Sequence, residues 1–198
     1  MSVMTAVEAW PDVWPHEDRP LTVADLERMP DDGNRYELDE GMLIVSPAPF
    51  NDHQVVAGRV YFVLEAARTP EFLVLPGPGI NLSEFVHRVP DVAVVRAEGF
   101  RMAREFETRP PLLAVEVASE STKRYDRTRK KAVYAEFGIP SYWIITPDPE
   151  RPDITAFELA DGQYKQVHYA VGDEEFTTEI PFPVSFTPAL LTGTQPLR

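Results

Sequence analysis

Cysteine is absent from this chain of 198 residues. Its absence excludes disulfides, thiolate metal sites and cysteine nucleophiles, so any metal must be held by oxygen or histidine. Oxygen donors suit hard ions, Mg2+ or Mn2+. No stretch approaches the roughly 18 uncharged apolar residues of a membrane span. The N-terminus also has neither the basic start nor the apolar core of a signal peptide. A cytoplasmic protein with no membrane partner is expected. Positive charge is scarce as well: 19 Lys and Arg stand against 32 Asp and Glu, a net charge of -13. Such a balance repels polyanions over long range.

The scarce positive charge is not evenly spread. Lys123 to Lys131 holds six bases and one acid, net +5, which leaves -18 for the rest of the chain. One strongly basic element therefore sits in an acidic protein. With 43% apolar residues the chain can bury a real core, and its length fits one compact domain. Residues 1 to 20 carry Pro11, Pro15 and Pro20, which break any helix, so they read as a poorly ordered lead-in to a domain over 21–198. No internal repeat or low-complexity tract is present.

Periodicity predicts the elements. Thr22 can cap a short helix that Pro30 stops. Two short strands flank Asp39-Glu40-Gly41 as a hairpin. Asn51 or Asp52 can cap a helix running to about Arg68, with Val56, Val60, Val63, Leu64 and Ala67 at helical spacing. A strand at Phe72 to Leu75 and an extended piece near Ile80 follow. The centre is three apolar runs, Val92 to Val95, Leu112 to Ala118 and Tyr142 to Ile145. The second run is apolar on both of its alternating faces, as expected of a strand covered on both sides. A helix from about Tyr125 to Phe137, ended by Gly138 and Pro140, lies between the second and third runs. Strands near 154–159 and 163–169 join at Asp161-Gly162, a hairpin signal. Beyond Gly172 the pattern weakens.

Three ionisable residues break this patterning. Glu116 stands in mid-run, flanked by apolar neighbours, where an isolated carboxylate is strongly disfavoured unless it meets a cation. Asp91 stands at the mouth of the preceding run, where a plain Pro-Asp turn is the competing reading. On a helical wheel at about 100° per residue, Lys130 falls among Asp126, Val133, Phe137 and Tyr134, in the middle of the face to be buried. A lysine there either snorkels out or pairs with a carboxylate. Together the three suggest two carboxylates holding a divalent cation with an ammonium pointed at the same place. Phosphodiester hydrolysis needs these parts, because a metal polarises the phosphate and acidifies a water while the ammonium stabilises developing charge. A salt-bridged structural core is the rival explanation.

Near these residues, Asp126 lies one helical turn before Lys130, placed either to orient it or to form an ordinary surface pair. His53 is placed to contact phosphate or donate a proton, or simply to face solvent near a helix start. Lys123, Arg124, Arg127 and Lys131 form either a solvated face or a phosphate track, to which a helix N-terminus would add. Ser119, Ser121 and Thr122 precede or cap that helix.

The ordered set Tyr36-Glu37-Leu38 with Gly41, Pro90-Asp91-Val92, Val115-Glu116-Val117 with Ser119, then Asp126, Lys130, Tyr134, Gly138 and Tyr142-Trp143-Ile144 resembles the PD-(D/E)XK nuclease superfamily. Within it, the chain resembles the restriction-endonuclease family of Uma-two type, over roughly residues 20–190. The resemblance implies an α/β (α+β) fold, a restriction-endonuclease-like mixed sheet flanked by helices, with extra β-hairpins. It implies Asp91 and Glu116 as metal ligands with the carbonyl of Val117 as a third, and adds Glu37 to the site. Residue 118 departs from the superfamily pattern: a lysine is expected there and Ala118 stands instead. In the resembled family the lysine comes from the next helix, which corresponds to Lys130. The implied activity is Mg2+-dependent or Mn2+-dependent hydrolysis of DNA by a homodimer, since a duplex cutter needs two sites. The alternative is a nuclease-fold binding or assembly module without catalysis, for which the low pI of about 4.7 speaks.

Overall fold

The computed structural model describes residues 19–101, 109–118 and 123–193. Most of the proline-rich lead-in, with Trp10 and Trp14, lies outside these residues, as do Ser119, Ser121 and Thr122. The described chain begins at Arg19, whose guanidinium sits 2.8 Å from Asp25 in the first short helix, α1 (Val23–Leu26). Asp25 also accepts the Thr22 backbone N–H at 2.8 Å, which ties the helix start to its own first turn.

Strands β1 (Arg35–Asp39) and β2 (Met42–Ser46) form the expected hairpin. Its two-residue loop needs positive φ at both positions, and Glu40 (52°) and Gly41 (79°) supply it. Gly41 is required for a second reason: a Cβ there would run into Pro20. Helix α2 (Asn51–Ala67) comes next and buries Val56, Val60 and Leu64. It starts at Asn51 without a side-chain cap on Phe50, so neither Asn51 nor Asp52 fills the cap position. Asp52 instead accepts the N–H of His53 at 2.8 Å inside the first turn.

Beyond β3 (Phe72–Pro76), the extended piece near Ile80 proves to be two strands, β4 (Ile80–Ser83) and β5 (Val86–Arg88). The sequence of β5 hides it, because His87 and Arg88 are buried and break any apolar alternation. The three central runs become β6 (Val92–Arg96), β7 (Leu113–Val117) and β8 (Ser141–Thr146). Between β7 and β8 the chain winds through α3 (Lys123–Tyr125), a π-helical turn (Asp126–Lys130) and α4 (Lys131–Glu136). Strands β9 (Asp153–Ala160) and β10 (Gln163–Val171) close on Asp161-Gly162, again with positive φ at both residues. The weakly patterned end holds β11 (Phe176–Thr178), β12 (Val184–Phe186) and α5 (Pro188–Thr192).

These elements form a mixed six-stranded sheet in the order β10-β9-β8-β7-β6-β3, and β7–β8 is its parallel pair. The helical crossover of 123–136 is what permits that parallel pairing. A four-stranded antiparallel sheet, β2-β1-β5-β4, stands beside it, and β11 and β12 pair with each other. The alternation along β7 sorts its side chains as expected. Leu113, Val115 and Val117 pack in one core with α2, whereas Ala114 and Ala118 pack in another with Tyr134, Ile139 and Tyr142. Burying each of the larger apolar side chains contributes about 1.5–3 kcal/mol, so this double covering makes β7 a rigid base. Glu116, between Ala114 and Ala118, is thereby aimed at the 123–136 helix.

Candidate active site

Asp91 immediately precedes β6, and its N–H donates to the Val115 carbonyl at 3.0 Å, extending the β6–β7 ladder by one residue. Both of its carboxylate oxygens are engaged. Oδ1 accepts from Arg35 Nη1 at 2.8 Å, and Oδ2 accepts from the Val117 N–H at 2.8 Å. His53 Nε2 lies 3.0 Å from Oδ2, and because a carboxylate only accepts, the proton belongs on Nε2. Burial alone would raise the Asp91 pKa, but the His53 hydrogen bond and charge, then Arg35 and Lys130, outweigh it and hold the group at about 2.

Glu116 is 2% exposed. Its Oε2 lies 2.9 Å from Lys130 Nζ, and its Oε1 accepts the Tyr134 hydroxyl at 2.7 Å. Burial pushes its pKa up to about 8, with Asp91, Asp126 and Glu37 acting in the same direction and Lys130 against them. Lys130, 8% exposed, also faces Asp126 Oδ1 at 3.7 Å and Glu37 Oε1 at 3.9 Å. Burial would lower its pKa, but the carboxylates around it, Glu116 foremost, raise it above the ordinary lysine range. Lys130 therefore stays an ammonium and neither snorkels out nor acts as a base. Asp126 is buried, so its pairing with Lys130 is not the surface pair that i, i+4 spacing alone allows.

Glu37 accepts the Val89 N–H at 2.7 Å, which stitches β1 to the segment leading into Asp91. The structure thus brings Asp91, Glu116, Lys130, Glu37 and His53 to one place. Val117 joins them through its backbone, since its side chain belongs to the opposite core. The other basic residues stand apart from this cluster. Arg124 and Arg127 are exposed, with Arg127 3.9 Å from Asp153. Lys131 turns its ammonium onto the Phe157 ring at 3.7 Å, beside a cleft lined by Thr128 and Tyr164. The Lys123 side chain lies outside the described residues.

Sequence reasoning named Glu37 but missed its neighbours on the same strand face, Arg35 and Asp39, which help to build the site. Arg35, Glu37 and Asp39 alternate along β1 and so share one of its faces. Each meets a charged partner: Arg35 meets Asp91, Glu37 meets Lys130, and Asp39 meets Arg129. Arg129 grips Asp39 with two nitrogens, Nε at 2.8 Å and Nη2 at 2.6 Å, and fully buried Arg88 approaches the same carboxylate at 2.9 Å. Pinning Arg129 fixes the neighbouring Lys130 against the carboxylates. The alternating charges of β1 were the available signal. A π-helical turn, a feature found often at functional sites, ends at Lys130.

Asp91, Glu116, Glu37 and Asp126 gather around Arg35 and Lys130. Burial first, and the neighbouring carboxylates after it, raise the Glu116 pKa, and a divalent cation suits such a gathering of buried carboxylates. Among the described residues no three His, Asp or Glu side chains are grouped as a complete ligand set. A magnesium ion held by one or two carboxylates with water in its remaining positions does not need one.

The mixed sheet, helical crossover and strand-mouth carboxylates define a restriction-endonuclease-like fold. The chain belongs to the Uma2 family, described as "Putative restriction endonuclease", whose model matches residues 23–192. Its fold is also that of a solved protein from Anabaena variabilis described as a "putative nuclease belonging to DUF820". The two superpose with a TM-score of 0.68 at 17% identity, covering 87% of this chain and 98% of that one. No curated protein matches the sequence. The family supports a nuclease-like function. Among the described residues no helix is long and apolar enough to cross a membrane.

Proposed function

We propose that this protein is a metal-dependent endonuclease that hydrolyses phosphodiester bonds of DNA. The observation that carries the reading is Glu116: a carboxylate buried in a central strand and held by Lys130 at 2.9 Å. Asp91 and Glu116, with the Val117 carbonyl, would hold Mg2+ or Mn2+, whose chemistry is to polarise a phosphate oxygen and acidify an attacking water. Lys130, kept as an ammonium, stabilises the charge that develops on the phosphate. Tyr134 orients Glu116 by donating to Oε1, and Glu37 supports Lys130 from the far side. Lys123, Arg124, Arg127 and Lys131 offer a basic track on the same helix, with His53 as a further phosphate contact.

Cutting both strands of a duplex calls for two copies of the site, so the working form is a homodimer, and a DNA substrate suits a cytoplasmic location. Plasmid and single-stranded DNA incubated with Mg2+ or Mn2+ test the activity. Cleavage is expected from the wild type and not from Asp91→Ala or Glu116→Gln. Equal cleavage by all three sinks the assignment.

The net charge of -13 favours one second reading, a nuclease-fold binding or assembly module that has lost catalysis. A calorimetric titration showing no divalent-ion binding would support that module.

A further inference from the structure

Asp91 has both of its oxygens engaged, Oδ1 by Arg35 and Oδ2 by the Val117 N–H and His53 together. An incoming ion would either share one of these oxygens with its present donor or displace that donor. The Val117 N–H belongs to the backbone of a central strand covered on both faces and cannot withdraw. His53 is rooted in the first turn of α2, and its side chain is 15% exposed. Arg35 is different: its long side chain is 28% exposed, and its other contact, with the Val89 carbonyl, is stretched to 3.4 Å. Its charge also acts on Glu116 and Glu37, so the guanidinium lies within the acidic cluster. A guanidinium and a divalent ion on the same carboxylate repel each other.

We propose that Arg35 is a displaceable counter-ion: it holds Asp91 in the metal-free protein and, released when the ion arrives, presents its planar donor fork to the substrate phosphate. This rests on the assignment of Asp91 and Glu116 as metal ligands. Arg35 suits both tasks because the fork that grips a carboxylate also matches a phosphate, and an ammonium in its place would not. Its partial exposure at the mouth of the cluster gives it a route from one to the other.

Two affinities read the proposal with opposite signs. Mn2+ binding is measured by calorimetry, and binding of a fluorescein-labelled DNA duplex by anisotropy in Ca2+, with the duplex checked intact on a gel. Arg35→Gln removes the competing charge, so Mn2+ binds about tenfold more tightly while the duplex binds about tenfold more weakly, the scale of one charge-assisted hydrogen bond. Arg35→Lys keeps the charge but not the fork, so Mn2+ binding stays close to wild type while duplex binding weakens. A merely structural Arg35 would lower both affinities in Arg35→Gln, and that result overturns the proposal, as does no change in either. Circular dichroism confirms that each variant is folded. If Arg35→Gln is not folded, Arg35→Lys decides, with unchanged duplex binding counting against the proposal. Wild-type protein that fails to bind Mn2+ overturns the metal assignment itself, a different result from a wild type that binds and a variant that gains nothing.

Discussion

Lys130 Nζ stands 2.9 Å from Glu116 Oε2 in an environment almost closed to water. The pair is not balanced, because Glu37 and Asp126 also crowd the ammonium and Asp91 bears on Glu116. A buried ion pair crowded by further carboxylates is a poor device for stability alone, since replacing such a pair with apolar residues is often neutral or stabilising. As part of the metal site proposed above, the arrangement has a physical reason. The predictions follow from that difference.

Glu116 has a folded-state pKa of about 8, above its ordinary 4.5, so the folded chain holds a proton that the unfolded chain releases. Its contribution to metal-free stability is fully present below pH 4.5 and is lost as pH rises through about 8. A divalent ion competes with the same proton. Calorimetry in buffers of different ionisation enthalpy should record the release of about one proton per Mn2+ at pH 7, with affinity climbing to near pH 8 and then levelling. An affinity that does not vary with pH would mean that Glu116 is not a ligand.

Removing the ammonium should be costly in two separable ways. Lys130→Met leaves Glu116, Glu37 and Asp126 facing one another, with an expected loss of about 3–5 kcal/mol of stability at pH 7 in urea unfolding. Cleavage should fall by about a hundredfold or more even below the unfolding transition, because the developing charge loses its donor. Full activity in a destabilised variant would reduce Lys130 to a structural role.

Parts of this site were legible in the sequence for identifiable reasons. Glu116 announces itself as a carboxylate inside an apolar strand, a violation visible without any partner. Lys130 is legible because it shares a face with Val133 and Tyr134, both buried in α4. The uniform wheel holds there even though the preceding turn is π-helical, because the turn ends at Lys130. Arg35 was legible only as one of three alternating charges along β1, with nothing to say what it meets. At the start of β1 it reads as an ordinary exposed charge, and the carboxylate that explains it is 56 residues away. β5 was missed because buried His87 and Arg88 have no apolar period, and their partners Asn81 and Asp39 lie on other strands. Pattern reports which face is buried, whereas a pairing across sheets leaves no local trace.

His87, 1% exposed and 2.7 Å from Asn81 through Nδ1, has its pKa pushed down to about 4, chiefly by burial. The sign is opposite to that of Glu116: the folded protein keeps this imidazole neutral while the unfolded chain protonates it near pH 6.5. The stability it secures is therefore full above pH 6.5 and is lost as pH falls towards 4, about 2 kcal/mol between pH 8 and pH 5. His87→Gln, which cannot titrate, should flatten the difference between urea midpoints at those two pH values by that amount. An unchanged difference would show that His87 is charged in the folded state.

Arg124 and Arg127 are exposed on the helix that carries Lys130, which gives the basic track a test independent of chemistry. If they neutralise phosphates, replacing each with serine should weaken duplex binding uniformly across sequences. The slope of log affinity against log salt should also become shallower by about one for each contact removed. Neither residue touches Asp91 or Glu116, so Mn2+ affinity should not move. Arg127 has a second engagement, 3.9 Å from Asp153, which an approaching phosphate must replace, so its variant should show the smaller change in affinity. Fluorescence anisotropy across a salt series separates the outcomes: a slope that is unchanged in both variants would mean that DNA approaches by another face. The acidic surface that makes up the remaining charge would then have to be reconciled with a nuclease through a cluster other than this helix.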